Sequence, residues 1–216
     1  MELEKLFITN STNMGKPNNN EPTFIVIHDT GNTSKTAGAY NHRQWLQNTN
    51  NTKRSAHIYV DSKRAIQTIP FTTPAWHTGV LYVAHPEVPT CTNFNSVGIE
   101  FCINADGNIE QTIANTLLVT QKVMDELHIP YARVITHQQS SGKDCPGTFI
   151  NNPKLKDLFF NSLFARTAKN NKDEALSIAL DVLQNHKVTN SKAYWFAQAQ
   201  DVKHLRQLII NMANVL

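Results

Sequence analysis

Unbroken apolar runs mark the strongest predicted strands of this 216-residue chain. Residues 23–28 hold five consecutive residues of high strand propensity and end on His28. Residues 96–103 and 132–137 are also apolar, and the second of these runs ends on His137. Apolar runs without alternation are typical of strands buried on both faces of a sheet. The pattern therefore predicts a buried sheet in which two strands end on histidines.

Helical periodicity and turn residues predict the elements between these strands. Thr33 or Ser34 is expected to cap a helix that runs to about residue 48, and helical spacing predicts a second helix over 112–127. Four residues of the first helix are expected to face the core: Ala37, Tyr40, Trp45 and Leu46. Shorter strands are predicted at 3–8, 55–61 and 64–70, the last two as a hairpin. The loop 71–95 is long for a compact domain, and such loops are often functional.

The composition changes after about residue 165. Residues 166–172 are polar and are expected to form a linker. Three short helices are predicted beyond it, at 173–186, 191–199 and 201–216. The apolar stripe of the last helix usually indicates packing. We therefore expect two parts, a domain over residues 1–165 and a small helical domain over residues 166–216.

Charge and cysteine content narrow the function only slightly. The net charge of +3 gives a weak attraction to any polyanion, and an anionic cell wall fits it as well as a nucleic acid does. No Lys/Arg stripe is present, so no nucleic-acid partner is expected. The chain has three cysteines, which are too few for a disulfide framework. Because the number is odd, at least one cysteine is free, metal-bound or catalytic.

Targeting signals are also missing from the sequence. No stretch approaches the roughly 20 apolar residues of a membrane span, so no membrane insertion is expected. Residues 1–5 lack the basic start and apolar run of a signal peptide. Synthesis and folding in a cytoplasm are therefore predicted.

Two histidines and one cysteine form the candidate chemical site. His28 and His137 each end a predicted strand, and ligands of open α/β sheets gather at the carboxyl ends of strands. Cys145 lies eight positions beyond His137 in a turn-rich segment, so it can fold back toward that histidine. Two imidazoles and a thiolate leave one position of tetrahedral zinc open, as in catalytic sites. A lone histidine at a strand end is more often structural, and the spacing alone leaves both interpretations open.

Five ordered motifs give the chain a resemblance to a known family. The motifs are Ile25-Val26-Ile27-His28, Ser55-Ala56-His57, Ala75-Trp76-His77-Thr78-Gly79, Ser96-Val97-Gly98-Ile99-Glu100, and Thr136-His137 with Lys143-Asp144-Cys145-Pro146-Gly147. Over about residues 20–155 they resemble the zinc-dependent N-acetylmuramoyl-L-alanine amidases of the peptidoglycan-recognition-protein type, which include phage endolysins and bacterial autolysins. The resemblance implies an α/β fold, with a central mixed β-sheet flanked by helices and a zinc site in a groove. It also implies bacterial peptidoglycan as substrate, cut between N-acetylmuramic acid and L-alanine.

The resemblance further implies roles for individual residues. It makes Glu100 the catalytic glutamate and Lys143 the catalytic lysine. Amide hydrolysis needs a base for the water and an acid for the leaving nitrogen, which Glu100 can supply in turn. The Lys143 ammonium can stabilise an oxyanion. The alternative for Glu100 is an ion pair at a sheet edge. The implied zinc ligands are His28, His137 and Cys145.

The family resemblance also bears on the long loop and on the position beside His57. Trp76 and His77, in the long loop, are expected to bind substrate, although His77 packed by Trp76 is an equal alternative. Some relatives carry a catalytic tyrosine beside the position of His57, where this chain has Ala56. A tyrosine-assisted mechanism is therefore in doubt, and more of the expected chemistry falls on Glu100.

Two other activities stay open. A cysteine amidase would use Cys145 as nucleophile with a histidine base, and Pro146 could begin a helix that lowers the thiol pKa. The second strand-end histidine would then have no role. A recognition module would bind muropeptide without cutting it, but relatives that only bind tend to lack the cysteine ligand.

The C-terminal part and the route to the wall complete the expectations. Tyr194-Trp195 and residues 208–211 weakly resemble the tails of clostridial and bacillus phage lysins, so residues 166–216 are expected to aid wall attachment. The alternative is a structural cap on the catalytic domain. Phage lysin and autolysin both stay open. Without an export signal, the enzyme is expected to reach the wall through a holin-type pore or after lysis of a mother cell. The oligomeric state cannot be inferred.

Overall fold

The structure is a computed structural model that describes residues 1–170, 172–185, 187–189, 195 and 205–215. Six strands lie in these ranges: β1 (Leu3–Lys5), β2 (Phe24–Asp29), β3 (Ile58–Val60), β4 (Ala65–Gln67), β5 (Ser96–Phe101) and β6 (Val134–Thr136). The helices described are α1 (Ala39–Asn48), α2 (Ile109–Leu127), α3 (His137–Ser141), α4 (Gly147–Asn151), α5 (Pro153–Asn170), α6 (Lys172–Asn185) and α7 (Leu205–Ala213).

The strands form one mixed sheet in the order β1-β4-β3-β5-β2-β6. The hairpin β3–β4 is antiparallel, and the other neighbouring pairs are parallel. Parallel neighbours need long crossover connections, which here contain α1 and α2. The predicted α/β fold with a central mixed sheet and flanking helices is confirmed.

The centre of the sheet is buried on both faces. Ile25, Val26 and Ile27 of β2 are all fully buried, although consecutive strand residues point to opposite faces. Helix α1 packs against β3 and β4 on the side that carries Tyr59 and Ile66. Helix α2 packs against β3, β4 and β5. Burial of apolar surface from the strands and both helices therefore holds the sheet that carries the site.

Helix α1 begins later than predicted. Its first residue is Ala39, so Thr33 and Ser34 do not cap it. The carboxylate of Asp61, in the β3–β4 turn, accepts the N–H of Ala39 at 2.8 Å. Gly38 makes room for this contact, because a Cβ there would lie 2.7 Å from the same carboxylate oxygen. The cap is therefore supplied by a residue distant in sequence.

Two of the four residues expected to face the core around α1 are exposed instead. Ala37 and Leu46 are buried, as predicted. Tyr40 and Trp45 are 43% and 44% exposed, so the prediction that they face inward was wrong. Trp45 is next to Leu46 and so cannot share its buried side on a helix.

Two compact units divide the chain. The first comprises Met1–Ile129 and Arg133–Lys156, and the second comprises Pro130–Ala132 and Asp157–Leu216. Helix α5 continues to Asn170, so the predicted linker is wrong for residues 166–170. Within this stretch Thr167 is buried, which a solvated linker would not show.

The second unit has its own apolar core. Its buried residues are Phe164, Leu176, Ala179, Leu180, Leu183, Ile209 and Ile210. The predicted helix over 173–186 is confirmed as α6, and part of the helix predicted over 201–216 is α7. Residues 191–194 and 196–204 lie outside the described residues, so the predicted helix over 191–199 stays a prediction. No helix within the described ranges is both long and apolar enough to cross a membrane.

Candidate active site

Three neighbouring parallel strands bring the site together. Strand β2 lies between β5 and β6, with His28 opposite Glu100 and Ile27 opposite Thr136. Strand β6 ends at Thr136, one residue earlier than predicted, and His137 is the first residue of α3. The ring centroids of His28 and His137 are 4.5 Å apart. The carboxyl ends of the strands thus form one edge where polar side chains meet.

Helix α3 turns the chain so that Cys145 returns to this edge. Thr136 and Gln139 form a reciprocal capping box at its start. Gly142 ends the helix with φ 79°, a left-handed conformation that glycine adopts without steric cost. The N–H of Gln138 then donates to the carbonyl of Cys145 at 2.9 Å. The cysteine is therefore held beside the first turn of the helix.

His28, His137 and Cys145 form one buried cluster. Each offers a ligand atom, and these atoms all lie within 4.8 Å of one another. Nδ1 of His28 is 3.7 Å from Sγ of Cys145. Nδ1 of His137 is buried, with no hydrogen-bond partner in the described part of the chain. Such an atom costs about 1–3 kcal/mol, which a metal bond would offset. Two nitrogens and one sulfur are a donor set that fits zinc.

The protonation states of the three side chains also fit the binding of a metal cation. Burial, with the charge of His137, lowers the pKa of His28 well below its ordinary value. Burial, with the charge of Lys143, lowers the pKa of His137 to about 4. Burial raises the pKa of the Cys145 thiol. All three donors are thus neutral on their own, and a metal ion would ionise the thiol by coordination.

Glu100, opposite His28 on the neighbouring strand, lines a cavity of about 530 Å³. Its Oε2 atom is buried and has no hydrogen-bond partner among the described residues. Burial raises the pKa of Glu100 to about 8, the charge of Asp29 acts in the same direction, and Lys143 opposes both. On its other side, β5 places Glu100 opposite Tyr59 of β3. A carboxyl group that titrates near neutral pH can both accept and donate a proton.

Lys143 lies two residues before Cys145 and is half-buried. Its charge lowers the pKa of both Glu100 and His137, which places it within electrostatic reach of the site. Its Nζ is 5.9 Å from the centroid of the Tyr82 ring, within cation–π range. Lys143 and Tyr82 also line a second cavity, of about 610 Å³.

Trp76 and His77 line the second cavity as well, but in different ways. Trp76 is half-buried and packs edge to face on Phe94, with ring centroids 6.2 Å apart. His77 is only 8% exposed, and its Nδ1 lies 3.1 Å from Nε2 of His28. The structure therefore brings His77 into direct contact with a candidate metal ligand.

His57 has a structural role in the sheet. Its Nδ1 accepts the N–H of Gly98 at 3.0 Å, and its Nε2 lies 3.0 Å from the carbonyl of Thr73. Burial lowers the pKa of His57 to about 4. Ala56, at the position where some relatives carry a tyrosine, is fully buried in the core beside Tyr59. The chain therefore offers no phenol at that position.

Sequence reasoning missed three residues of the site. Asp29 accepts the N–H and the hydroxyl of Thr148, both at 2.7 Å, and so ties the segment after Cys145 to β2. Its signal was a carboxylate directly after a strand-end histidine. Trp45 lines the cavity of Glu100, but its helix was predicted in the wrong rotation. Tyr82 had no signal beyond its place in the long loop.

Comparison with known proteins agrees with this geometry. The family model for N-acetylmuramoyl-L-alanine amidase matches residues 18–148. The chain is 38% identical over 125 residues to the N-acetylmuramoyl-L-alanine amidase CwlH of Bacillus subtilis, which covers 58% of this chain and 47% of that protein. The chain spans about half the length of the curated relatives that it matches.

Solved structures give the same result for the fold. The catalytic domain of XlyA has a TM-score of 0.65 and 29% identity, over 76% of this chain and 99% of that domain. A mutant endolysin from Bacillus subtilis has a TM-score of 0.64 and 31% identity, over 75% of this chain and 98% of that structure. Both matches cover almost the whole of the other structure, so the similarity is one of the overall fold.

Proposed function

The chain belongs to the N-acetylmuramoyl-L-alanine amidase family, and we propose that it hydrolyses bacterial peptidoglycan between N-acetylmuramic acid and L-alanine. The observation that carries the proposal is the buried cluster of His28, His137 and Cys145, with Glu100 opposite His28 on the next strand. The family supports the choice of bond. The cluster and the carboxyl group support metal-assisted hydrolysis as the reaction.

The proposed metal is zinc, held by the two histidines and the cysteine of the cluster. Their donor atoms are the types that zinc prefers, and three protein ligands are typical of catalytic rather than structural zinc. When bound, zinc supplies a Lewis acid that polarises the scissile carbonyl and makes water more acidic.

Glu100 moves the protons in the proposed reaction. Its carboxylate accepts a proton from the attacking water as the new C–O bond forms, and its carboxyl group then donates that proton to the amide nitrogen as the C–N bond breaks. The pKa of about 8 suits the donor state, and the charge of Lys143 favours the acceptor state. The products are the free lactyl carboxylate of the sugar and the free amino group of L-alanine.

Lys143 stabilises the charge that develops during this step. Attack on the carbonyl places negative charge on its oxygen, and a positioned cation lowers the energy of that state. The electrostatic effect of Lys143 on both Glu100 and His137 supports its closeness to the reacting atoms. We expect it to act through charge rather than through proton transfer.

We propose that the two cavities hold different parts of the substrate. One is lined by Glu100 and Trp45, the other by Trp76 and His137. Peptidoglycan is an extended polymer, so its sugar and peptide arms need separate space. Half-exposed indole rings are suited to packing on sugars, which supports Trp76 and Trp45 as substrate-binding residues.

A cysteine nucleophile is less well supported. A thiol attacks as its thiolate, yet burial raises the pKa of Cys145. Burial also lowers the pKa of both histidines of the cluster, His28 and His137, so neither supplies the imidazolium that would activate the thiol. Coordination to a metal uses the same three residues and gives both His28 and His137 a role.

The proposal extends to the wall and to the C-terminal part. We propose that residues 166–216 aid attachment to the cell wall, supported by the exposed Leu208 and Met212 of α7. Binding of the full chain to sacculi should weaken when both residues are changed to serine, but not in a Leu158→Ser control, which is also exposed. Similarity to an endolysin supports action on the wall. We propose that the protein reaches the wall through a holin-type pore or after lysis.

Chelation separates the proposed reaction from its alternatives. Lysis of purified sacculi should stop in EDTA and return with zinc, and iodoacetamide should not inactivate the zinc-loaded protein. Iodoacetamide inactivation that metal fails to prevent would favour a cysteine nucleophile. Zinc binding without any release of peptide would favour a module that only recognises muropeptides.

A further inference from the structure

We propose that His77 is a positioning residue that fixes the orientation and the tautomer of the metal ligand His28. Nδ1 of His77 lies 3.1 Å from Nε2 of His28, and the two rings meet edge to face with centroids 5.2 Å apart. The inference rests on the metal site of the proposed function, but not on the bond that is cut.

One backbone carbonyl sets the direction of the hydrogen bonds behind the ligand. The hydroxyl of Ser96 donates to the carbonyl of Thr92, so its oxygen accepts the Nε2–H of His77 at 3.2 Å. A neutral imidazole has one donor and one acceptor nitrogen, so Nδ1 of His77 accepts the Nε2–H of His28. The lone pair on Nδ1 of His28 is then free, 3.7 Å from Sγ of Cys145. This is the form in which a histidine binds a metal.

The loop that carries His77 is held on both sides of the ring. Oδ1 of Asn93 accepts the N–H groups of His77 and Thr78, at 3.0 and 2.8 Å. The hydroxyl of Thr78 lies 2.6 Å from that of Ser140 on α3, the helix that begins with a metal ligand. The Asn93 bonds hold the backbone of the loop on itself, and the contact between Thr78 and Ser140 ties the loop to α3.

Strand β5 passes directly against the ring at Gly98. A Cβ at this position would lie 2.7 Å from Cγ of His77, closer than side-chain carbons approach. Only a residue without a side chain leaves room for the imidazole. The loop motif at residues 75–79 and the strand motif at residues 96–100 therefore meet in one contact.

Burial distinguishes this role from substrate binding. His77 is 8% exposed, and both of its ring nitrogens already have protein partners. No nitrogen is left to recognise a ligand in the second cavity. Metal-binding histidines usually donate their second N–H to a hydrogen-bond acceptor of the protein or to water. Loss of that acceptor commonly weakens metal binding about 10- to 100-fold.

Two amide variants of the full chain test the hydrogen bond itself. In His77→Asn, the amide oxygen can occupy the place of Nδ1 and accept from His28, whereas in His77→Gln it extends toward the place of Nε2. Zinc affinity is measured by competition with a chromophoric chelator. We expect His77→Asn to stay within about fivefold of wild type and His77→Gln to bind zinc about 10- to 100-fold more weakly. His85→Gln, an exposed histidine of the same loop, is the control and should not change affinity.

Kinetics at saturating zinc provide a second readout. A positioning residue leaves KM within about twofold and lowers kcat, because it acts through the ligand. A rise in KM with unchanged zinc affinity would make His77 a substrate-binding residue and overturn the proposal. Equal zinc affinities for His77→Gln and wild type would overturn it as well. Zinc affinity does not depend on peptidoglycan cleavage. If the variants bind zinc as expected but the wild type does not cut peptidoglycan, the proposed function fails while the role of His77 stands.

The wild-type protein allows a test that needs no variant. Nitrogen-15 spectra of the metal-free chain report which ring nitrogen of each histidine carries the proton. We expect His28 and His77 both to carry it on Nε2. A proton on Nδ1 of His77 would reverse the hydrogen bonds and contradict the proposal, even if a variant fails to fold.

Discussion

Glu100 lies directly opposite His28 across the parallel strands β5 and β2. Register partners project to the same face of a sheet, so the backbone pairing places the carboxyl group on the face that carries the side chain of His28. A slip of one residue would turn Glu100 to the other face. The proposed general base is therefore positioned by two buried strands rather than by a loop.

The first prediction concerns this carboxyl group. Glu100→Gln keeps the shape of the side chain but cannot accept a proton, so we expect kcat to fall at least about 100-fold, the usual scale of general acid–base catalysis. Zinc affinity should stay within about twofold, because Glu100 is outside the ligand cluster. Steady-state assay and metal titration check both. Glu110→Gln, in the first turn of α2, is the control. A variant with near wild-type kcat would remove Glu100 from the mechanism.

Adjacent residues of α1 are predicted to respond in opposite ways. Leu46 is fully buried, so Leu46→Ala should cost about 2–5 kcal/mol of unfolding free energy. Trp45 is 44% exposed and lines the cavity of Glu100, so Trp45→Ala should cost no more than about 1 kcal/mol yet raise KM severalfold. Urea unfolding and kinetics on the same two proteins decide. An unchanged KM in Trp45→Ala would show that this cavity does not hold substrate.

The buried His57 predicts a pH dependence of stability. Its pKa is lowered to about 4 in the folded protein, whereas the unfolded chain titrates near 6.5. Between these values only the unfolded chain binds the proton. The stabilisation from neutral His57 is therefore complete above about pH 6.5 and is lost as the pH falls through about 4. For this one group it amounts to about 3 kcal/mol.

His57→Asn isolates this contribution. Asparagine does not titrate, and its amide oxygen can still accept the N–H of Gly98. In urea unfolding of the metal-free proteins from pH 7.5 to 4, the wild type should lose more free energy than the variant. The other buried histidines are present in both proteins, but the charge of His57 also lowers the pKa of His77, so part of the difference comes from His77. Parallel curves would mean that His57 titrates normally.

Gly98→Ala tests the close approach of the strand to the His77 ring. The added methyl group should shift the imidazole, reduce stability by about 1–3 kcal/mol and weaken zinc binding. Gly31→Ala is the control, because Gly31 has φ +59° but no neighbouring atom within 4 Å of its Cβ position. It should cost about 1–2 kcal/mol through backbone strain alone, with zinc affinity unchanged. Equal zinc affinities in the two variants would contradict the account.

Much of the site could be predicted because its residues follow local patterns. His28 and His137 stand at the ends of apolar strands, and parallel strands end at one edge. Cys145 follows in a short, turn-rich segment. The family resemblance then implied catalytic roles for Glu100 and Lys143, and these roles stay predictions. The candidate ligands could therefore be named in advance, whereas the distances between them follow from the strand order and from the turn after α3.

Non-local contacts explain what could not be predicted. The carboxylate of Asp61 determines where α1 begins, and that contact depends on the strand order. Trp45 lines a cavity instead of packing in the core, because the packing of α1 on the sheet buries the adjacent Leu46. His77 was expected to bind substrate, but its contact with His28 depends on how the loop folds over Gly98.

Mass spectrometry of digested sacculi tests the central claim most directly. Soluble products are compared for the zinc-loaded protein, the same protein in EDTA, and zinc-loaded Glu100→Gln. The account predicts free stem peptides that begin with L-alanine, together with glycan strands that carry free lactyl groups, from the first sample only. New reducing sugar ends, new amino termini within the peptide, or equal release in EDTA would contradict it.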